Sequence, residues 1–411
     1  TLWGGELPQK GWIDAYTADN PVLVYRMDGH MALANSAALE LAGVDKNTPD
    51  VPGGEIVRDE NGEPTGMLKD NALGLVSRNI PPLSPEQQNR AFREAMAYFA
   101  ENGVTSVHDV DGMSSGSYTT ALKLLAANEL TVRVYAMRPL YDWERSKEID
   151  RKDTPWLKTG GLKGFVDGSL GSHTAAFHDP YTDKASDTGL FVNSNEDLYR
   201  WISDADKAAL QVAVHAIGDR AINTLLNIYE RVAAENGKKD RRFRIEHSQH
   251  IAPEDIKRFA DLGVIASMQP YHAIDDGRWA ESMIGPERIK TTYAFKSLFD
   301  VNAPIAFGSD WPVAPATPLE GIYGAVTRST LDDKNPDGWV PEQKISVEQA
   351  LLAYTKLASY ASFEEDIKGT LEPGKLADFV VFDQNLTTID PHAIRKVKVM
   401  QTYVGGKKVF N

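Results

Sequence analysis

Four short apolar segments each carry a potential metal ligand: Lys163 within Leu162–Asp167, His215 ending Val212–His215, His247 ending Phe243–His247, and Asp310 ending Ile305–Asp310. Two imidazoles and a carboxylate suit a hard-to-borderline divalent ion such as zinc. A carboxylate at position 310 can hold an ion and also take a proton from water that the ion activates. Lys163 is the odd member, because an ammonium inside an apolar strand is costly to bury. It either pairs with Asp167 or reaches solvent, or its neutral amine takes up CO2. The resulting N-carboxylysine would offer two oxygens that can bridge two divalent ions.

Other residues near these segments can meet a substrate. Asp167 to His173 is a loop of small residues whose glycines permit close backbone approach. Asp167 and His173 are its candidate substrate contacts. His272 follows another strand-like run, in Gln269-Pro270-Tyr271-His272, and Trp311 follows Asp310 directly. His30, with Arg26 and Asp28, sits in a turn that can reach over a site as a lid. Each has a plainer reading: a hydrogen-bonded core histidine, a turn-stabilising aspartate, or a half-buried tryptophan. His250 stands in the loop beyond His247. Trp279 and Trp339 also fall in loops that can line an aromatic pocket.

Residues so far apart in sequence meet only if the fold collects strand ends. A parallel αβ barrel does this, placing all strand C-termini on one face. From residue 84 onward the chain alternates strand and helix patterns. Strands are expected at 104–108, 131–137, 162–167, 212–215, 243–247, 264–269 and 304–310, which makes seven. Helices are expected near 118–128, 195–209, 219–235, 253–262 and 287–299. Ser84-Pro85-Glu86-Gln87 and Ser346-Val347-Glu348-Gln349 both read as capping boxes that start helices. Earlier, 22–25 reads as a strand, 32–42 as a helix, and 60–64 as a hairpin turn. Late in the chain, 379–382 and 399–404 read as strands, with Gly405-Gly406 as a tight turn.

Composition narrows the classes. A formal net charge of −14 argues against a nucleic-acid partner, because phosphate affinity needs clustered cations. No apolar run approaches the ~20 residues that span a bilayer, so no membrane partner is expected. Zero cysteines exclude disulfides and thiolate metal sites, and leave a cytoplasmic or periplasmic location open.

The order LKGFVDGSLGSHTAA, VAVHAIGDRAI, RIEHSQHI, MQPYH, FGSDWPV and GTLEPGKLADFVVFD resembles the YtcJ-like branch of the metal-dependent amidohydrolases. That branch includes N-substituted formamide deformylases. DGHMALANSAALELAG resembles the branch's insertion. The resemblance implies a (β/α)8 TIM-type barrel with an insertion and a small β-sandwich. It also implies hydrolysis of a small-molecule amide-type substrate with one or two divalent metal ions, zinc above all. By position, Lys163 would be a carboxylated bridging lysine and His215 and His247 ligands of the second ion. Asp310 would be ligand and general base.

The expected organisation is an insertion or lid at 1–83, the barrel at 84–360, and C-terminal sandwich strands at 361–411. The family's His-x-His pair on the first barrel strand does not occur among the nine histidines, so that strand would lie before Thr1. This agrees with the count of seven strands. Position 173 also departs from the family, which often has Arg there. Unpaired edges left by a missing strand would favour aggregation or a homodimer. The competing expectations are a hydrolase of carbon–nitrogen bonds, a lactone or ester hydrolase with the same machinery, and a non-catalytic protein on the same scaffold.

Overall fold

The computed structural model describes residues 6–110, 116–148 and 153–411. Its centre is a curled parallel sheet of seven strands: β5 (Ser106–Asp109), β6 (Arg133–Pro139), β7 (Leu157–Phe165), β8 (Gln211–Ala216), β9 (Arg244–His247), β10 (Ile265–Met268) and β11 (Ile305–Phe307). They lie side by side in chain order from β5 to β11, every neighbouring pair parallel. This is the arrangement of a TIM-type barrel. Among the described residues, β5 and β11 are the two edges of the sheet. All seven expected barrel strands are present.

Apolar side chains of the sheet pack against the crossover helices and form the main core. Val212, Val214, Ile245 and Ala266 meet Ile222, Leu225, Tyr229 and Phe259 there, all essentially inaccessible. Both expected capping boxes exist, each with its serine accepting from the third helical amide and its glutamine reaching back. Their helices run Pro85–Glu101 and Val347–Tyr354.

Two smaller antiparallel sheets flank the barrel strands. The first, ordered β1-β2-β4-β3, comprises Leu23–Tyr25, Met31–Ala34, Pro64–Asp70 and Gly54–Arg58. The expected helix over 32–42 is thereby corrected. Residues 31–34 pair with β1 and β4, and the helix starts only at Ser36, where the Asn35 side chain accepts from the Ala38 amide. The second sheet is β12 (Phe379–Phe382), β13 (Val399–Val404) and β14 (Lys407–Phe410). Arg133 on β6 anchors it through a buried two-point ion pair to Asp378, at 2.6 and 2.9 Å, with Trp156 stacked on the guanidinium. The helix expected over 287–299 is two pieces, Ala280–Arg288 and Phe295–Asp300. The first of them already holds a kink at Gly285, ahead of Pro286. No helix among the described residues is long and apolar enough to cross a membrane.

Candidate metal centre at the barrel mouth

Register decides which side chains enter the barrel. Phe165, His215, Glu246 and Ser267 are level partners across β7 to β10, and Lys163 is level with Ala213 and Arg244 one step below. Strand alternation therefore aims His215 and Lys163 to the same side as Arg244 and Glu246. The same alternation would send His247 outward with Ile245, into the helix layer. Instead His247 adopts φ 76°, in the left-handed region, and its ring turns back to the mouth. Asp310 was expected on a strand, but β11 stops at Phe307, and Asp310 stands in the following turn at φ 62°. Non-glycine residues at such angles cost about 1–3 kcal/mol each and gather at functional sites.

The result is a cluster on one side of a cavity of about 1820 Å³. The His215 and His247 ring centroids lie 4.6 Å apart. Ligand atoms of His247, His272 and Asp310 all fall within 4.8 Å of one another. His272 Nε2 is 3.7 Å from Asp310 Oδ2, too far for a hydrogen bond. That Nε2 is inaccessible to water and has no hydrogen-bond partner. Lys163 is buried, lines the cavity, and holds its Nζ 4.7 Å from the Phe165 ring centre.

Hydrogen bonds fix the tautomers of both strand-end histidines. His215 Nε2 meets the Gly168 carbonyl at 3.0 Å, and His247 Nδ1 meets Gln269 Oε1 at 2.9 Å. An oxygen acceptor requires the proton on that ring nitrogen. The lone pair is therefore on His215 Nδ1 and on His247 Nε2. Burial, reinforced by neighbouring cationic groups, keeps His215 well below the ordinary histidine range. Burial likewise lowers His247 to about 3, although the Asp310 charge works against it. Neutral imidazoles with oriented lone pairs are the form that binds metal. Two such rings beside the Asp310 carboxylate fit a divalent ion, with His272 adjoining them.

Beneath the cluster, Glu246 accepts from Arg244 and Ser267, and Arg244 also donates to His108 Nδ1 at 3.0 Å. This pair neutralises the charge on the barrel floor.

The expected substrate contacts separate into two groups. His30, His173, His272 and Trp311 all line the cavity. Trp311 packs against Phe99 and Tyr98, with centroids at 5.1 and 5.9 Å. His173 Nε2 sits 3.1 Å from both Asp183 oxygens. Asp167 is the correction. It is fully buried and does not line the cavity, because its carboxylate accepts from the Ala176, Ile217 and Gly218 amides. Burial raises it to about 7 despite those bonds. Those three amides account for its oxygens, with His215 Nε2 a further 3.5 Å from Oδ1. Trp339 is likewise core, lying beside the buried Arg328.

Sequence reasoning passed over Gln269, which orients His247, and Asp70, which hydrogen-bonds His30 Nδ1 at 2.7 Å. A polar residue directly after an apolar strand was the only signal for Gln269, and Asp70 had none.

A barrel sheet with neutral imidazoles and a carboxylate gathered at its C-terminal mouth defines the class of metal-dependent hydrolases built on this architecture. The amidohydrolase family profile matches residues 5–410, and the chain belongs to that family. It is 42% identical to Protein LONG AFTER FAR-RED 3 of Arabidopsis thaliana, over 100% of this chain and 72% of that protein. It is 33% identical to the putative amidohydrolase YtcJ of Bacillus subtilis, over 97% of this chain and 75% of that one. An uncharacterized metal-dependent hydrolase from Pyrococcus horikoshii has a solved structure that superposes with TM-score 0.75 at 29% identity, covering 94% of this chain and 76% of that one.

Proposed function

We propose that the protein hydrolyses a carbon–nitrogen bond of the amide type in a small, non-peptide substrate. The observation that carries this reading is the approach of His247, His272 and Asp310 ligand atoms to within 4.8 Å beside the His215 ring. His215, His247 and Asp310 are the residues that would hold a divalent ion, zinc by donor set, and Lys163 would join them as N-carboxylysine. One or two ions fit the reading. When bound, such an ion activates water and polarises a carbonyl.

The chain's own residues do the rest. Gln269 and the Gly168 carbonyl keep two imidazole lone pairs aimed into the mouth. Asp310 accepts a proton from the attacking water and returns it to the leaving amine. His272 and His173 contact the polar part of the substrate. Trp311, with Tyr98 and Phe99 behind it, walls one side and limits water.

The test is metal analysis together with a screen of N-formyl and N-acyl amines, lactones and esters on the zinc-loaded protein. Chelator-sensitive turnover of amides supports the reading. Turnover of esters or lactones alone moves the reaction class. Bound metal without turnover of any of them supports a non-catalytic role.

A further inference from the structure

The pair His30–Asp70 lies outside the ligand set, on the four-stranded sheet rather than on the barrel. Asp70 ends β4 and His30 lies in the turn between β1 and β2. The two are joined twice, and Asp28 ties the same turn to the barrel. Asp70 Oδ1 takes the His30 Nδ1 hydrogen bond at 2.7 Å, and the Asp70 amide donates to the His30 carbonyl at 2.9 Å. Asp28 Oδ1 accepts from the His30 amide while its other oxygen accepts from Ser169 on the barrel loop.

Gly168 makes the approach possible. A side chain there would come within 2.7 Å of Asp70 Oδ1 and 2.0 Å of Thr174 Oγ1. The same glycine's carbonyl holds His215. The His30 ring stands 4.9 Å from the His215 ring and lines the cavity.

A mere staple between two sheets would not be built this way. Asp70 sits at φ 45°, ψ −122°, a strained setting for a residue with a side chain. Its second oxygen, Oδ2, is buried and has no partner. Both features cost stability, and an asparagine or a glutamine could join the sheets without a buried charge. An Asp–His pair instead fixes the ring's angle and leaves Nε2 as the polar atom presented to the cavity.

We propose that His30 is a catalytic residue that contacts the scissile amide through Nε2, with Asp70 as its positioning residue. An amide offers either an N–H to an imidazole acceptor or a carbonyl to an imidazolium donor, so the contact does not depend on the ring's charge. The proposal rests on the amide-hydrolase reading and deepens it.

The experiment compares the zinc-loaded wild type with His30→Ala, His30→Gln and Asp70→Asn, using the best amide from the screen. Melting temperature and zinc content are measured beside kcat and KM. The expected result is a fall in kcat of about 10²-fold or more in His30→Ala, with zinc retained. Added imidazole should restore part of it. Asp70→Asn should lose kcat by about tenfold or more, with little change in KM and no rescue by imidazole. Variants that melt lower yet keep wild-type kcat per folded, zinc-loaded molecule would reduce the pair to a staple and overturn the proposal. A decline in kcat that imidazole does not touch in His30→Ala, and that His30→Gln shares in proportion to lost melting temperature, would overturn it too. A wild type without any chelator-sensitive amide turnover would instead remove the hydrolase reading itself, and this proposal with it.

Discussion

Acid should unfold this protein partly through His250, and the magnitude follows from its surroundings. The ring is fully buried between Phe177 and Tyr293. Thr292 Oγ1 donates to the Arg288 carbonyl at 3.0 Å, so it receives the hydrogen bond from His250 Nδ1 at 2.9 Å. Nε2 is left bare and inaccessible, with no acceptor for a second proton. Burial, helped by the Arg288 charge, lowers the group from 6.5 to about 3. Between those values the unfolded chain binds a proton that the native chain refuses. Stability from this group is therefore complete above about pH 6.5 and is lost as pH falls toward 3. The loss is about 2 kcal/mol at about pH 5 and about 4 kcal/mol near pH 3. Asp167 works in the opposite sense. Burial raises its folded value to about 7, so acidification relieves a cost there. A wild-type profile alone mixes these with the buried His215 and His247, and the difference between wild type and His250→Asn isolates His250. Urea melts with chelator present, at about pH 7.5 and about pH 5, should show the variant gaining about 2 kcal/mol on the wild type over that step. A gap that stays constant with pH would refute the reasoning.

Asp310→Asn should keep most bound zinc and lower kcat by about 10²–10⁴-fold, whereas His247→Ala should lose zinc and activity together; elemental analysis beside kinetics separates them. Lys163→Ala should lose activity that short carboxylic acids partly restore, and mass spectrometry of the metal-loaded wild type should find a carbamate that is absent after acid treatment. Arg133→Met leaves Asp378 buried without its partner and should cost about 3–5 kcal/mol, with early proteolysis near the C-terminal sheet as the readout.

The barrel was legible because each strand is a short apolar run followed by a helix pattern of period 3.6. Both capping boxes were legible because Ser and Gln three residues apart have one low-energy use at a helix start. His215 was placed at the mouth by its position at a strand end, and the register of β7 to β9 aims it the same way. His247 was placed there by its strand end too, yet alternation aims it away and its left-handed backbone brings the ring to the mouth. Asp167 was misread because a carboxylate after a strand looks the same whether it meets a ligand or three backbone amides. Asp70 was invisible, since nothing local signals that it meets Gly168 nearly a hundred residues on. The helix start near residue 35 was missed because Ala and Leu suit either element, and the pairing of Met31–Ala34 with β1 and β4 decides between them.

The loop that follows β7 has the composition of a flexible segment, yet it is cross-linked at nearly every residue. Asp167 ties it to the loop after β8 and to its own continuation at Ala176, Ser169, Ser172 and Thr174 form a chain of hydroxyls at 2.7 and 2.8 Å, and the amides of Gly168, Thr174 and Ala175 bond within it. Such a loop has already lost its conformational entropy on folding. A ligand arriving at the mouth meets a wall that needs no further ordering there, and its affinity is not reduced by that cost. Its association rate should then follow diffusion through the opening rather than the closing of this segment, and should vary with solvent viscosity but little with substitutions that only change the loop's stiffness.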